Sequence, residues 1–263
     1  MKALITGASR GIGRAIALRL ARDAAARARD AAIVVAANRP SAELVSIAAE
    51  ITALGIRVLP VSGDLADPAT PQRLVDEALA FCDGLDTLVC NAGITAPAPL
   101  AGLALDQWDR LFAINSRAPW LLAQAARAAL AGSRGAYVAI ASMSGLEPHV
   151  GHGAYSASKA ALIMLCRQLA QEWGPAGIRV NAVCPGMIRT PMTEPIYQDA
   201  DIAALRDRIV PLQRVGRPED VADVVAFLAS RDARYVTGEA IRVDGGFASS
   251  ILAHVPGLAR SGE

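Results

Sequence analysis

The chain lacks any excess of charge: 26 basic residues stand against 25 acidic ones, a net charge of +1 over 263 residues. That balance gives no electrostatic footprint for nucleic acid or an anionic membrane. It also lacks an apolar run of about 18 residues, so no membrane-spanning helix is expected. Met1 to Ile5 read as the start of a strand and not as a charged leader, which makes a cytoplasmic location the expectation. The cysteines Cys82, Cys90, Cys166 and Cys184 form no CxxC pair. Scattered in this way they suit reduced, buried thiols, and neither a disulfide frame nor a metal is expected. Fixed-period repeats and low-complexity tails are missing too. What is present is a composition 53% hydrophobic, enough to bury a large core, and one domain over residues 1–263 is the expectation.

Short apolar runs recur at Ala3 to Thr6, Ile33 to Ala37, Arg57 to Val61, Thr87 to Cys90, Ala136 to Ala141, Arg179 to Cys184 and Glu239 to Val243. Longer amphipathic stretches separate them, the first from Gly13 to about Arg29. Continuous apolar strands alternating with helices predict a Rossmann-type, doubly wound α/β fold: seven parallel strands with helices on both faces. The Ala- and Arg-rich stretch Ala21 to Ala32 reads as a lengthened, solvated helix end. From 190 to 217, Pro191, Pro195 and Pro211, with Pro218 just beyond, permit only a short helix over Ile202 to Ile209. An irregular stretch of this length predicts a lid over the substrate.

Directly after the first strand stands Thr6-Gly7-Ala8-Ser9-Arg10-Gly11-Ile12-Gly13, opening a helix. The glycines allow a tight turn and close backbone approach to a pyrophosphate, whose charge meets amide groups and the positive helix end. The spacing is GxxxGxG and not the commoner GxGxxG. At the end of the second strand a carboxylate would read a ribose 2′-hydroxyl; here the sequence is Ala37-Asn38-Arg39. With no acid there, and with Arg39 and Arg10 able to grip a phosphate, NADP(H) is expected over NAD(H). Asn38 lies 25 residues beyond Gly13, where about 20 is usual, and the extended helix accounts for the difference.

Tyr155-Ser156-Ala157-Ser158-Lys159 precedes an apolar helical pattern. Positions i and i+4 share a helix face, so a phenol and an ammonium can point into one pocket. A neighbouring cation is expected to lower the tyrosine pKa from about 10 toward the working pH, as a general acid or base requires. Lysine is otherwise almost absent: Lys2 and Lys159 are the only two among the 26 basic residues. A compact ammonium can hold ribose hydroxyls beside a phenol, which a planar guanidinium cannot do as well.

These residues, with Cys90-Asn91-Ala92-Gly93, Ser142 and Pro185-Gly186-Met187-Ile188-Arg189-Thr190, closely resemble the short-chain dehydrogenase/reductase family over essentially the whole chain. The resemblance is nearest to 3-oxoacyl-carrier-protein reductase-like members. It implies that Tyr155 is the proton donor in ketone reduction and that Lys159 holds the nicotinamide ribose. It also implies that Ser142 hydrogen-bonds the substrate oxygen and that Asn115 holds a helix turn open for a water leading from the lysine. Gly7, Ser9, Arg10, Gly11, Ile12, Gly13, Asn38 and Arg39 would hold the diphosphate and adenosine ribose. Asp64 and Leu65 would meet the adenine, and Asn91, Ala92 and Gly93 would line the cofactor. Pro185, Gly186, Ile188 and Thr190 would face the nicotinamide, and a homotetramer is implied as well. Cys90 stands where the family often has asparagine, and no Gly turn precedes the second strand. Two hydroxyl donors at a carbonyl oxygen stabilise the charge that develops there.

The substrate stays open at this point. Ala176 stands where carrier-protein reductases place an arginine, which argues against a carrier protein. Met187, Met192, Pro195, Ile196 and Tyr197 suit an acyl or other small ketone, whereas Glu194, Gln198 and Asp199 could bind a sugar or polyol. The YxxxK spacing argues against enoyl reduction. A cofactor-binding regulatory protein without turnover is the alternative of another class. His149 and His152, in the loop before Tyr155, are open to substrate or to solvent. Ser144 is a weaker candidate than Ser142, and Trp108, Trp120 and Trp173 are expected to pack helices.

Overall fold

A run such as Ala-Ile-Val-Val-Ala-Ala has no polar side chain to turn toward water, so a strand made of it must be covered on both faces. The computed structural model, which describes residues 1–27 and 30–255, shows this arrangement. Strands β1 (Lys2–Thr6), β2 (Ala32–Ala37), β3 (Arg57–Ser62), β4 (Thr87–Cys90), β5 (Ala136–Ile140), β6 (Arg179–Pro185) and β7 (Ala240–Val243) form one sheet. Its order is β3-β2-β1-β4-β5-β6-β7, and every pair is parallel. Helices α1 (Gly11–Ala26), α2 (Ala42–Ala53) and α8 (Pro218–Ala229) lie on one face, and α3 (Thr70–Cys82), α5 (Ala118–Ser133) and α6 (Tyr155–Trp173) on the other.

The period of two along each strand divides the core. Leu4, Val34, Leu88 and Val180 join the cluster under α3, α5 and α6, while Ile5, Val35, Val89 and Val183 join the one under α1, α2 and α8. The strand order reverses at β1, which has β2 on one side and β4 on the other. The crevice at a reversal, beyond the carboxyl ends of the strands, is where such sheets bind ligands.

Three expectations shift. Helix α1 opens at Gly11, ahead of Gly13, and its described part ends at Ala26; the expected end at Arg29 lies outside the described residues. The Ala-rich stretch is not simply solvated: Ala21, Ala24, Ala31 and Ala32 are buried, while Arg22, Ala26, Arg27 and Asp30 face water. Of the tryptophans, Trp173 is buried, whereas Trp108 and Trp120 stay 37% and 40% exposed. Segment 190–217 folds as a turn at Glu194–Gln198 and helix α7 (Ala200–Ile209), with its base tied by a bridge between Ile188 and Gly216. No helix among the described residues is long and apolar enough to cross a membrane.

The crevice is held by Thr6, which is almost fully buried. Its Oγ1 accepts the backbone N–H groups of Asn91 and Ala92, each at 3.1 Å. Thr6→Val keeps the volume and strands two donors, so it should cost about 3 kcal/mol, read as a lowered denaturation midpoint; an unchanged midpoint would show the clamp to be dispensable.

Candidate active site

Because all strands run the same way, the segments that leave them gather along one edge of the sheet. Gly7 follows β1, Asn38 and Arg39 follow β2, and Asp64 and Leu65 follow β3. Asn91, Ala92 and Gly93 follow β4, Ser142 follows β5, and Pro185 and Gly186 end and follow β6. The sequence-predicted residues are thus brought together by topology, although they span most of the chain.

The glycine turn is closed from both sides. Gly7 has φ of +65° and its α-carbon faces Asn91, whose Nδ2 donates to the Thr6 and Gly7 carbonyls at 3.0 Å each. A side chain at Gly13 would stand 2.2 Å from the Gly7 oxygen, so the turn tolerates none. The first turn of α1 carries no acidic residue, and the N-cap Arg10 makes no side-chain cap bond. Its leading amides therefore face the crevice with the positive end of the helix, an environment that fits a dinucleotide diphosphate. Thr190 packs against Gly11 and closes the turn from the lid side. Ile188, buried, sits below it at the bridge to Gly216.

The other end of the crevice is organised around α6. Lys159 is buried and its Nζ donates to the Ile140 carbonyl at 2.7 Å, at the carboxyl end of β5. Asn115 lies in a π-helical turn, Ala113–Arg117, between α4 (Leu105–Phe112) and α5. Its Oδ1 accepts the Ile94 N–H at 2.9 Å, and its Nδ2 donates to the Ile94 carbonyl and the Ser158 hydroxyl, both at 3.0 Å. One carboxamide therefore ties the chain after β4, the wide turn and the Tyr155–Lys159 helix together. Gly93 stands against both groups: a Cβ there would be 3.3 Å from Asn115 Oδ1 and from Lys159 Nζ.

Burial decides the electrostatics here. It pulls the Lys159 ammonium down to about 8, and it pushes the nearby thiols up, Cys90 to about 12 and Cys184 to about 11. Tyr155 is likewise raised by burial, with Ser142 acting the other way. This reverses the expected lowering by Lys159, whose Nζ is 5.9 Å from the phenol ring centroid and engaged with Ile140.

At the adenosine end, Arg39 and Arg10 are exposed and both act on Glu43, whose carboxyl is lowered first by its own backbone and Ser41. Both guanidiniums are thus near enough to the start of α2 to act on its carboxylate. Asn38 is exposed, and Leu65 is buried. Asp64 accepts from the Ala66 N–H and pairs with Arg110 at 3.3 Å.

Sequence reasoning left the roles of several residues open. Ser144, buried, hydrogen-bonds His149 Nδ1 at 3.0 Å. His149 stacks on His152 with ring centroids 3.7 Å apart, and His152 stands 6.2 Å from the Tyr155 ring. Glu194 and Asp199 are not free for hydroxyls: Glu194 forms a two-pronged pair with Arg189, and Asp199 caps α7. Neither role has a signal in the sequence beyond the Asp before a helix. Among the described residues no group of His, Cys, Asp and Glu could hold a metal ion.

A family model described as enoyl-(acyl carrier protein) reductase matches residues 7–248. A (3R)-3-hydroxyacyl-CoA dehydrogenase of Mus musculus is 39% identical, with 93% of this chain and 95% of the relative covered. L-rhamnose 1-dehydrogenase (NAD(P)(+)) of Sphingomonas sp. (strain SKA58) is 38% identical, with 92% and 94% covered. A crystal structure from Beutenbergia cavernae, provisionally assigned as an NAD(P)-dependent gluconate 5-dehydrogenase and holding NADP at low occupancy, superposes with a TM-score of 0.85. It is 36% identical, with 94% of this chain and 96% of that chain covered.

The burial of Lys159 costs stability. Its ammonium is disfavoured below about pH 8, and the cost is relieved as pH rises from there toward the ordinary lysine value of 10.5. Lys159→Met should stabilise the ligand-free protein by up to about 3 kcal/mol at pH 7, and wild type should regain ground between pH 8 and 10.5. Denaturation at pH 7 and pH 10 checks this; a variant less stable at pH 7 would mean that the ammonium is stabilising.

Proposed function

The chain belongs to the short-chain dehydrogenase/reductase family and is an oxidoreductase acting on the CH–OH/C=O pair with a nicotinamide cofactor; on that premise we propose an NADP(H)-dependent enzyme that interconverts a small ketone and a secondary alcohol. The observation that carries the reading is the pair on α6, with the buried Lys159 Nζ 5.9 Å from the Tyr155 ring, and Ser142 directly after β5. Residues 1–263 are read as one NAD(P)-binding domain, with 190–217 as its substrate lid.

In this reading the uncapped start of α1, with Gly7, Ser9, Gly11, Ile12 and Gly13, holds the diphosphate. Arg10, Asn38 and Arg39 hold the 2′-phosphate, and Asp64 and Leu65 meet the adenine. Asn91, Ala92 and Gly93 line the cofactor's length, and Pro185, Gly186, Ile188 and Thr190 meet the carboxamide. The cofactor, when bound, supplies or takes up the hydride. Tyr155 gives its phenolic proton to the ketone oxygen in reduction and takes it back in oxidation. Ser142 donates a hydrogen bond to the same oxygen, where negative charge gathers in the transition state. Lys159 binds ribose hydroxyls and, when charged, makes the phenolate less costly. Asn115 holds the wide turn that positions the lysine.

The relatives are named for a hydroxyacyl-CoA, for L-rhamnose and for gluconate, and the reading is pitched at what these share, a hydroxyl-bearing carbon. The Tyr155–Lys159 spacing supports carbonyl over enoyl reduction. Preference for NADP(H) over NAD(H) is supported by the exposed Arg10 and Arg39, both acting on Glu43, and by the absence of an acid at Ala37-Asn38-Arg39. A homotetramer in the cytoplasm completes the proposal. The half-exposed Trp108 and Trp120 and the exposed Leu105 and Met164 support self-association through α4, α5 and α6.

Tyr155→Phe should lower turnover by about 10²–10⁴-fold while NADPH still binds, measured by cofactor absorbance and by titration of NADPH fluorescence. A variant that keeps most of its rate would refute the proton transfer. Arg39→Asp should weaken NADPH by about 10–100-fold and leave NADH nearly unchanged; equal effects on both would remove Arg39 from cofactor discrimination.

A further inference from the structure

The loop before Tyr155 holds a polar atom without a partner among the described residues. His152 Nδ1 is buried and has no hydrogen-bond partner, although the ring lies 6.2 Å from that of Tyr155. Its orientation is fixed from behind, since His149 stacks on it at 3.7 Å and is itself held by the Ser144 hydroxyl at 3.0 Å. A buried polar atom left unpaired is costly, so a site that keeps one has kept it for a ligand.

The lid faces this loop with a cation. Arg206, on α7, packs its guanidinium over the Tyr197 ring at 5.4 Å, and Arg189 covers the same ring at the same distance. The two arginines differ in their partners. Arg189 is paired with Glu194, whereas Arg206 has no carboxylate within ion-pair distance among the described residues; its one polar contact is the Tyr197 hydroxyl at 3.4 Å. Arg206 is near enough to help hold His149 neutral, after burial and His152, and no acid acts on that ring. Of the lid's other acids, Asp199 is spent on capping α7 and Asp207 on the Val215 N–H, while Asp201 is exposed in the first turn of α7.

Two groups at this mouth are left wanting an acceptor, the Arg206 guanidinium and His152 Nδ1 when that nitrogen carries the proton. An acceptor-only group with a negative charge satisfies both at once. We propose that the substrate carries a carboxylate near its ketone or hydroxyl carbon, received by Arg206 from the lid and by His152 from the loop before Tyr155. His149 and Ser144 act as positioning residues that aim His152. The assignment rests on the dehydrogenase reading and narrows it from carbonyl compounds in general to oxo acids and hydroxy acids, away from neutral thioesters.

The test compares each acid with its methyl ester: acetoacetate and 4-oxopentanoate, with NADPH and NADH, together with a neutral aryl ketone. Wild type should favour the acids at least tenfold in kcat/KM, with most of the difference in KM. Arg206→Gln and His152→Ala should each cut the acid-to-ester ratio about tenfold, whereas Arg206→Lys should retain most of it. Propionate should compete with the substrate, and propionamide should not. NADPH titration of each variant guards against misfolding. Equal use of acid and ester by wild type, or an unchanged ratio in Arg206→Gln, would overturn the carboxylate assignment and leave the dehydrogenase intact. Turnover of no compound, neutral ketone included, would overturn the dehydrogenase reading and this assignment with it.

Discussion

The site depends on a single exchange of hydrogen bonds where the sheet reverses. Thr6 accepts two amides from the chain that leaves β4, and Asn91 on that chain returns two bonds to the carbonyls of Thr6 and Gly7. Parallel strands that diverge at their ends would otherwise leave these polar groups buried without partners. The exchange holds the glycine turn in its left-handed conformation and delivers Gly93 against Asn115 and Lys159. The glycine turn and the Tyr155–Lys159 helix are thereby fixed relative to one another through about three residues of backbone.

What was legible in the sequence was whatever is decided locally. The strands could be read because a strand covered on both faces has no polar positions, and all seven appear within a residue or so of the apolar runs. The glycine turn could be read because no other residue type fits where a Cβ would meet the Gly7 oxygen. Tyr155 and Lys159 could be read because helical spacing alone puts them on one face. The wide turn at Asn115 was implied only by family resemblance, since its cause is a set of bonds to Ile94 and Ser158 from distant parts of the chain.

What could not be read is whatever depends on burial and on partners chosen across the fold. The raised phenol and depressed ammonium follow from low dielectric around α6, not from their mutual spacing. Glu194 looked free and is bound to Arg189; Asp199 looked free and caps a helix. The histidine pair is the converse case, with two loop residues of no periodicity made into one stacked unit by Ser144 behind them. The polarity at the mouth of the crevice is therefore set by which charges the fold neutralises; segment 190–217 carries four acidic and four basic residues, so a count of them gives no sign at all.

The bridge between Ile188 and Gly216 bears on how such an enzyme changes over time. With backbone bonds from Arg189 to Gly216 and from Gly216 to Met187, the segment 190–217 is pinched shut at its base. The pinch limits how far changes beyond it are passed to β6, although Leu212 also bonds Gly245 after β7, and closure entropy depends only weakly on how much chain lies outside it. The excursion is in effect an exchangeable cassette. Residues within it, Tyr197 and Arg206 included, can drift or be replaced in blocks while the turn, the clamp and the Tyr155 helix stay in register, so a new specificity can arise without refolding the machine that uses it.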